Sequence, residues 1–190
     1  MPVRSTLAAP TNDPPDDDAR LVFAAQKNPA AFQALYDRWA VPVYQYFYYR
    51  AGEAAAAEDL TSQLFLAVYQ ALPRYQHRGH FAAWLFAIAR NLIRKDYRHT
   101  RRQVPLEQAG QVAAGMDLPD EYAQADEIQR LKALIVSLPP EDQELIRLRY
   151  AAGLSFSDMA ILLHKREDAV KKSLYRLQAR LQVLLEQKHG

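Results

Sequence analysis

Leu154-Ser155-Phe156-Ser157-Asp158-Met159-Ala160-Ile161-Leu162-Leu163, then His164-Lys165-Arg166, then residues 167–177 (EDAVKKSLYRL) form the stretch that decides the fold. A serine suited to capping a helix N-terminus opens a short apolar run. A tight turn follows, and an amphipathic segment bearing Lys171, Lys172 and Arg176 closes the stretch. Ala160 supplies the small residue needed where two helices cross, while Val170 and Leu174 fall on the inward side. This is the pattern of a helix-turn-helix, whose second helix offers its N-terminal residues to the DNA major groove. A helical hairpin with a solvated basic face fits the same residues, so both readings stay open on this segment alone.

The rest of the chain is helical in character too. It has 190 residues, 49% of them hydrophobic and only 6 of them glycine, which allows one ordinary domain or two small ones built from helices. The absence of cysteine excludes a disulfide framework, a thiolate metal site and a cysteine nucleophile, and it fits a reducing cytosol. No run approaches the roughly 18–20 apolar residues that cross a bilayer. Net charge is only +2, so the distribution matters more than the sum. Acidic residues crowd the start and residues 117–127, and basic ones cluster at 90–102 and 165–180.

Upstream of the helix-turn-helix, residues 121–137 carry Ile128, Leu131, Leu134 and Ile135 in helical phase. Pro139-Pro140 then starts a helix with Leu145, Ile146, Leu148 and Tyr150 that Gly153 ends. Downstream, residues 167 to about 186 make one longer helix. Residues 103–120 lose all periodicity and read as a flexible linker.

Before the linker lies a four-helix unit at residues 19–102, preceded by a disordered tail at 1–18. Its first helix begins after Asp16-Asp17-Asp18, and Asn28-Pro29 caps the second, where Phe32, Leu35, Tyr36 and Trp39 share a face. Pro42 is expected to kink or split that helix before the aromatic run Tyr44, Tyr46, Phe47, Tyr48 and Tyr49, which reads as core. A third helix at 53–72 sets Leu60, Leu64, Ala67, Val68 and Ala71 on one stripe. A fourth, from Phe81 to about Arg101, has Phe81, Leu85, Ile88, Ala89 and Leu92 inward. The expected architecture is all-α: two small helical domains joined by a flexible linker, the second at 121–190 with the helix-turn-helix.

Two further signals bear on function. Arg90, Arg94, Lys95, Arg98, Arg101 and Arg102 face a lone Asp96 on the fourth helix and its exit; they can track a phosphate backbone or simply end a solvated helix. Just upstream, Tyr75, Gln76, His77, Arg78, His80, Phe81 and Trp84 set aromatic rings beside basic groups, a combination that stacks unpaired bases.

The stretch 57–66 (AEDLTSQLFL), the aromatic loop, and Trp84-Leu85-Phe86-Ala87-Ile88-Ala89-Arg90-Asn91 together resemble the second region of extracytoplasmic-function sigma factors of the sigma-70 family. Residues 138–150 and the helix-turn-helix up to Arg180 resemble their fourth region, in the family's order and with a linker in the family's place. The resemblance implies a transcription initiation factor that binds core RNA polymerase and promoter DNA, nucleates promoter melting, and works in the cytoplasm with neither membrane insertion nor cofactor. Asp59, Leu60, Gln63 and Phe65 match the face that docks on the polymerase clamp helices. Leu145 and Leu148 match the pocket for the polymerase flap tip. Tyr75, Gln76, His77, Arg78, His80, Trp84 and Asn91, with Arg94, Lys95 and Arg98 beyond them, match the reader of the minus-ten element. Lys165, Arg166, Asp168, Lys171, Lys172 and Arg176 match the reader of the minus-thirty-five element. An anti-sigma factor is a further implied partner, though no residue demonstrates one.

The chain departs from the family at the turn. His164 stands for its glycine, Lys165 for an apolar residue, and Asp168-Ala169-Val170 for Gly-Thr-Val. Histidine tolerates the left-handed conformation better than most residues, so the turn is expected to survive while the minus-thirty-five contact set stays open. A stand-alone helix-turn-helix regulator, binding palindromes as a dimer, is the alternative; it has no use for Trp84 and the 75–80 loop. A protein-binding scaffold or anti-regulator ranks third. An enzyme fits least, since phosphate-cradling glycine loops, metal-ligand histidine spacings and nucleophile elbows are all missing.

Overall fold

A computed structural model describes the backbone of residues 16–103 and 122–186 and the side chains of residues 17–95 and 130–185. Residues 1–15 of the tail expected at 1–18, and the linker at 103–120 but for Gln103, fall outside the described residues, as do the side chains of Arg98, Arg101 and Arg102. Residues 16–18 are not a disordered tail but the first turn of a helix, ordered by the contacts of Asp18.

Helix α1 (Asp16–Lys27) buries Val22 and Ala25 against α2, and Asp18 fixes the approach. Its carboxylate accepts from Trp39 Nε1 at 3.2 Å and pairs with Arg38 Nε at 2.8 Å. Burial nonetheless raises the Asp18 pKa, with the Arg38 charge opposing that rise. Asn28 accepts from the Ala30 amide and launches a single 3-10 turn, Pro29–Ala31, that runs straight into α2 (Phe32–Ala51).

Of the kink or split expected at Pro42, the split does not occur: α2 runs through the proline. The face crossing the proline carries Leu35, Trp39, Val43, Tyr46 and Phe47, all buried. Each such side chain contributes about 1.5–3 kcal/mol when fully buried, which together outweighs the roughly 3 kcal/mol cost of an interior proline. Helices α3 (Ala54–Ala71) and α4 (Phe81–Gln103) complete the first unit around Leu60, Leu64, Phe65, Val68, Leu85, Phe86 and Ala89.

The second unit comprises α5 (Tyr122–Ser137), α6 (Pro140–Ile146), α7 (Phe156–Leu163) and α8 (Glu167–Glu186). The helix begun at Pro140 widens into a π-helical stretch, Arg147–Ala151, which buries Arg147, Leu148 and Ala151. Hydrophobic periodicity carries no signal for that change of winding. Ser155 caps α7: its hydroxyl accepts from the Asp158 amide at 3.0 Å and donates to Asp158 Oδ2 at 2.5 Å. His164 ends α7 at φ 54° and ψ 42°, so the turn does form with histidine in the left-handed position. Lys165 N–H donates to Ala160 O at 2.9 Å and His164 N–H to Ile161 O at 3.2 Å, the paired bonds of a Schellman motif.

The two units pack on each other. One apolar cluster runs from Val22 through Phe86 to Leu145, Leu148, Met159 and Leu174, and a smaller one joins Leu138, Leu177 and Leu181. Helix α2 meets the π-helical stretch and α4 meets α7.

Candidate nucleic-acid interface and docking faces

The loop before α4 is held from below by α1. Gln26 Nε2 donates to Leu72 O at 2.9 Å and to Tyr75 O at 2.6 Å. Tyr75 then lies on Trp84 with ring centroids 4.2 Å apart and 32° between planes, and Phe81 closes the cluster at 5.8 Å from Tyr75 and 5.6 Å from Trp84. Burial, then the nearby carboxylates of Asp18 and Asp158, pushes the Tyr75 phenol up to about 12, so it stays neutral at physiological pH. The sequence sets Trp84 among rings able to stack unpaired bases; in the fold it is half-buried and packs on Tyr75. Gln76, Arg78, Asn91, Arg94 and Lys95 are exposed, and His77 is half-buried, its Nδ1 at 3.4 Å from the Tyr75 hydroxyl.

On α3, Asp59 and Gln63 face solvent, whereas Leu60 and Phe65 are 5% and 6% exposed and belong to the core. Leu66, one turn beyond Gln63 on the same helix, extends the solvent face at 59% exposure, and Tyr69 follows it one turn later, also exposed. A leucine outside the apolar stripe was the signal in the sequence, and reading only the stripe missed it.

Val170 and Leu174 anchor α8 inward as their spacing requires. Arg166, Asp168, Lys172 and Arg176 project outward, and none of these forms an ion pair among the described residues. Lys165 reaches Glu141 at 3.7 Å across an exposed gap, a contact of little energetic weight. Lys171 is committed locally: Glu167 Oε1 lies at 2.6 Å and the Phe156 ring at 5.6 Å. Its pKa is raised mainly by the hydrogen bond to Glu167.

Between the units sits a polar clasp. Tyr46 hydroxyl donates to Glu144 Oε1 at 2.8 Å, and Arg90 Nε and Arg147 Nε lie 3.3 and 3.5 Å from the same carboxylate. Burial and the adjacent carboxylate push the Tyr46 phenol well above its usual range, keeping it a donor. Burial also lowers the Arg147 pKa, against the pull of Glu144. Arg90 further donates to Leu162 O at 3.1 Å, covering one of the free carbonyls at the α7 C-terminus. His80 Nδ1 meets Asp158 Oδ1 at 3.0 Å. A cavity of about 350 Å³ beside the clasp is lined by Arg50, Arg90, Arg94 and Lys165 with Glu141 and Glu144. Leu145 and Leu148 lie in the shared core at 5% and 0% exposure.

Comparison with known proteins places this geometry. Residues 35–103 match the family model of sigma-70 region 2, and residues 128–181 that of sigma-70 region 4. The ECF RNA polymerase sigma factor EcfG of Rhodopseudomonas palustris is 30% identical over 135 residues, covering 71% of this chain and 74% of EcfG. The chain belongs to the extracytoplasmic-function sigma factors of the sigma-70 family. The ECF sigma factor BldN of Streptomyces coelicolor is 35% identical over 168 residues, or 84% of this chain and 64% of BldN, so the match spans just under two thirds of that relative. Among solved structures, CnrH in complex with the cytosolic domain of CnrY superposes with a TM-score of 0.63 at 25% identity, over 87% of this chain and 95% of CnrH. As in the sequence reading, this sigma factor is all-helical among its described residues, and no described helix is long and apolar enough to cross a membrane.

Proposed function

We propose that this chain binds core RNA polymerase and brings it to promoters, acting in the cytoplasm as a non-catalytic initiation factor. The observation that carries the reading is the presence of region 2 and region 4, in that order, on one chain. The first unit, residues 19–102, engages polymerase through Asp59 and Gln63 together with Leu66; Leu60 and Phe65 shape that face from inside. The 75–80 loop with Trp84, Asn91, Arg94, Lys95 and Arg98 takes the minus-ten element. The second unit, residues 121–190, reads the minus-thirty-five element with Lys165, Arg166, Asp168, Lys172 and Arg176, and Lys171 stiffens the helix that presents them. Separating a stacked base step costs about 0.6–2.2 kcal/mol, and one captured base returns about 1–3 kcal/mol. Melting therefore starts where weak stacking and captured bases coincide, with polymerase contacts supplying the remainder.

The clasp has a place in this scheme. The two elements are named for positions about 25 base pairs apart, roughly 85 Å along the duplex. In the clasped form His80 of the minus-ten loop touches Asp158 of the helix-turn-helix at 3.0 Å. One clasped chain therefore cannot span both elements. The clasp describes a resting form, and opening it frees His80 together with Leu145 and Leu148, the latter pair for the polymerase flap tip. By likeness to CnrH, which was solved with the cytosolic domain of CnrY, an anti-sigma factor is proposed as a second partner.

Gel filtration with cognate core polymerase tests the docking. The wild-type chain co-elutes with core, and the double charge change Asp59→Arg with Gln63→Arg abolishes co-elution. Undiminished binding by that variant would exclude the α3 face.

A further inference from the structure

Helix α1 lies ahead of the stretch that matches sigma-70 region 2, yet it is built into the minus-ten loop. Gln26 ties it there by its two bonds to Leu72 O and Tyr75 O. One turn earlier, Phe23 stands 53% exposed, its ring edge-to-face with His77 at 6.2 Å and 67°. Tyr75, Phe81 and Trp84 spend their faces on one another, whereas Phe23 leaves more than half of its surface to solvent. Leaving about half of an aromatic ring in water forgoes part of its burial, so its position beside this loop invites a ligand. Lys27, one turn along the same face of α1, and Arg74 and Arg78 around the loop are all exposed. Planar rings flanked by exposed cations suit a single strand of nucleic acid, in which bases stack and phosphates pair with the charges.

We infer that Phe23, with His77, forms a stacking platform for an unpaired nucleotide of the promoter strand, making α1 part of the promoter-opening surface. The platform rests on the proposed function. Phe23 supplies a flat apolar face, His77 a second ring at the mouth of the loop, and Gln26 holds the two elements in register. Lys27 and Arg78 follow the sugar-phosphate chain on either side.

The test uses holoenzyme reconstituted from the full chain and core polymerase. Two probes are derived from a promoter selected out of random DNA. One is a forked DNA whose non-template strand is single across the minus-ten element; the other is a duplex that stops upstream of that element. Phe23→Ala weakens binding of the forked DNA about 5- to 100-fold and leaves duplex binding and core association unchanged. Phe23→Trp keeps forked-DNA binding close to wild type, as a stacking role requires. Equal binding of forked DNA by Phe23→Ala and wild type, with Trp84→Ala impaired, would overturn the platform while sparing the sigma reading. An equal loss on both DNAs, or a loss of core association alone, would also overturn it and assign Phe23 to polymerase contact. Failure of the wild-type chain to bind core at all would remove the sigma reading and the platform with it.

Discussion

Replacing Glu144 with alanine is expected to open the clasp. Its carboxylate accepts from Tyr46, a residue only 1% exposed, and lies 3.3 Å from Arg90 and 3.5 Å from Arg147, whose side chain is 7% exposed. Removal leaves the buried Tyr46 hydroxyl without its acceptor, and leaves the buried Arg147 guanidinium, which keeps Gln143 Oε1 at 3.1 Å, without its nearest counter-charge. Breaking a fully buried pair costs about 3–5 kcal/mol, but Arg90 is partly solvated and keeps Leu162 O, so about 2–3 kcal/mol is expected here. Those losses fall on the clasped form, where the groups are desolvated, so the clasped-to-open ratio drops about 25- to 150-fold. The chain has no cysteine, so Ser62→Cys and Arg180→Cys accept a donor and an acceptor dye without background. Energy transfer between them reports the distance from α3 to α8. Glu144→Ala should shift the population to long distances at unchanged helix content, with Glu144→Gln intermediate because it still accepts from Tyr46. An unaltered distance distribution in Glu144→Ala would refute the assignment of the clasp to this carboxylate.

Other consequences are more local. His164→Gly removes a side chain from the left-handed position at φ 54°, and should stabilise the protein by about 1 kcal/mol in denaturant titrations without changing promoter choice. Arg176→Ala in the holoenzyme should lower affinity and reduce the slope of log affinity against log salt by about 0.9, measured by anisotropy from low to moderate salt. Above pH 10 the unfolded chain ionises Tyr75 while the folded chain, held to about 12, does not. That phenol therefore withdraws stability between pH 10 and 12, and Tyr75→Phe should lose less stability than wild type between pH 9 and 11 in chemical denaturation.

The helices were legible because their apolar positions recur at the helical period, and because Ser155, Asn28 and the Pro139-Pro140 pair mark starts that the fold uses. Pro42 does not split its helix because the burial of Trp39, Val43 and Phe47 across it outweighs a local breaker, a balance that local pattern does not show. The left-handed His164 could be anticipated from side-chain tolerance. The π-helical stretch could not, since nothing in the pattern of 147–151 distinguishes it from α. The basic and aromatic groups of the site were visible as residue types. Which rings stay open was not, because Tyr75 and Trp84 find each other only once α1 and α4 are in place. The clasp was invisible for the same reason: Tyr46 and Glu144 lie 98 residues apart, and no local pattern pairs them.

Promoter opening by the reconstituted holoenzyme tests the central claim most directly. Core polymerase carrying this chain is presented with a promoter selected from random DNA, and unpaired thymines around the minus-ten element are mapped with permanganate. Reactivity that requires the chain and weakens with Trp84→Ala is the expected result. A folded, inhibitor-free chain that leaves cognate core unbound while dimerising on duplex palindromes would contradict the account and identify a stand-alone regulator.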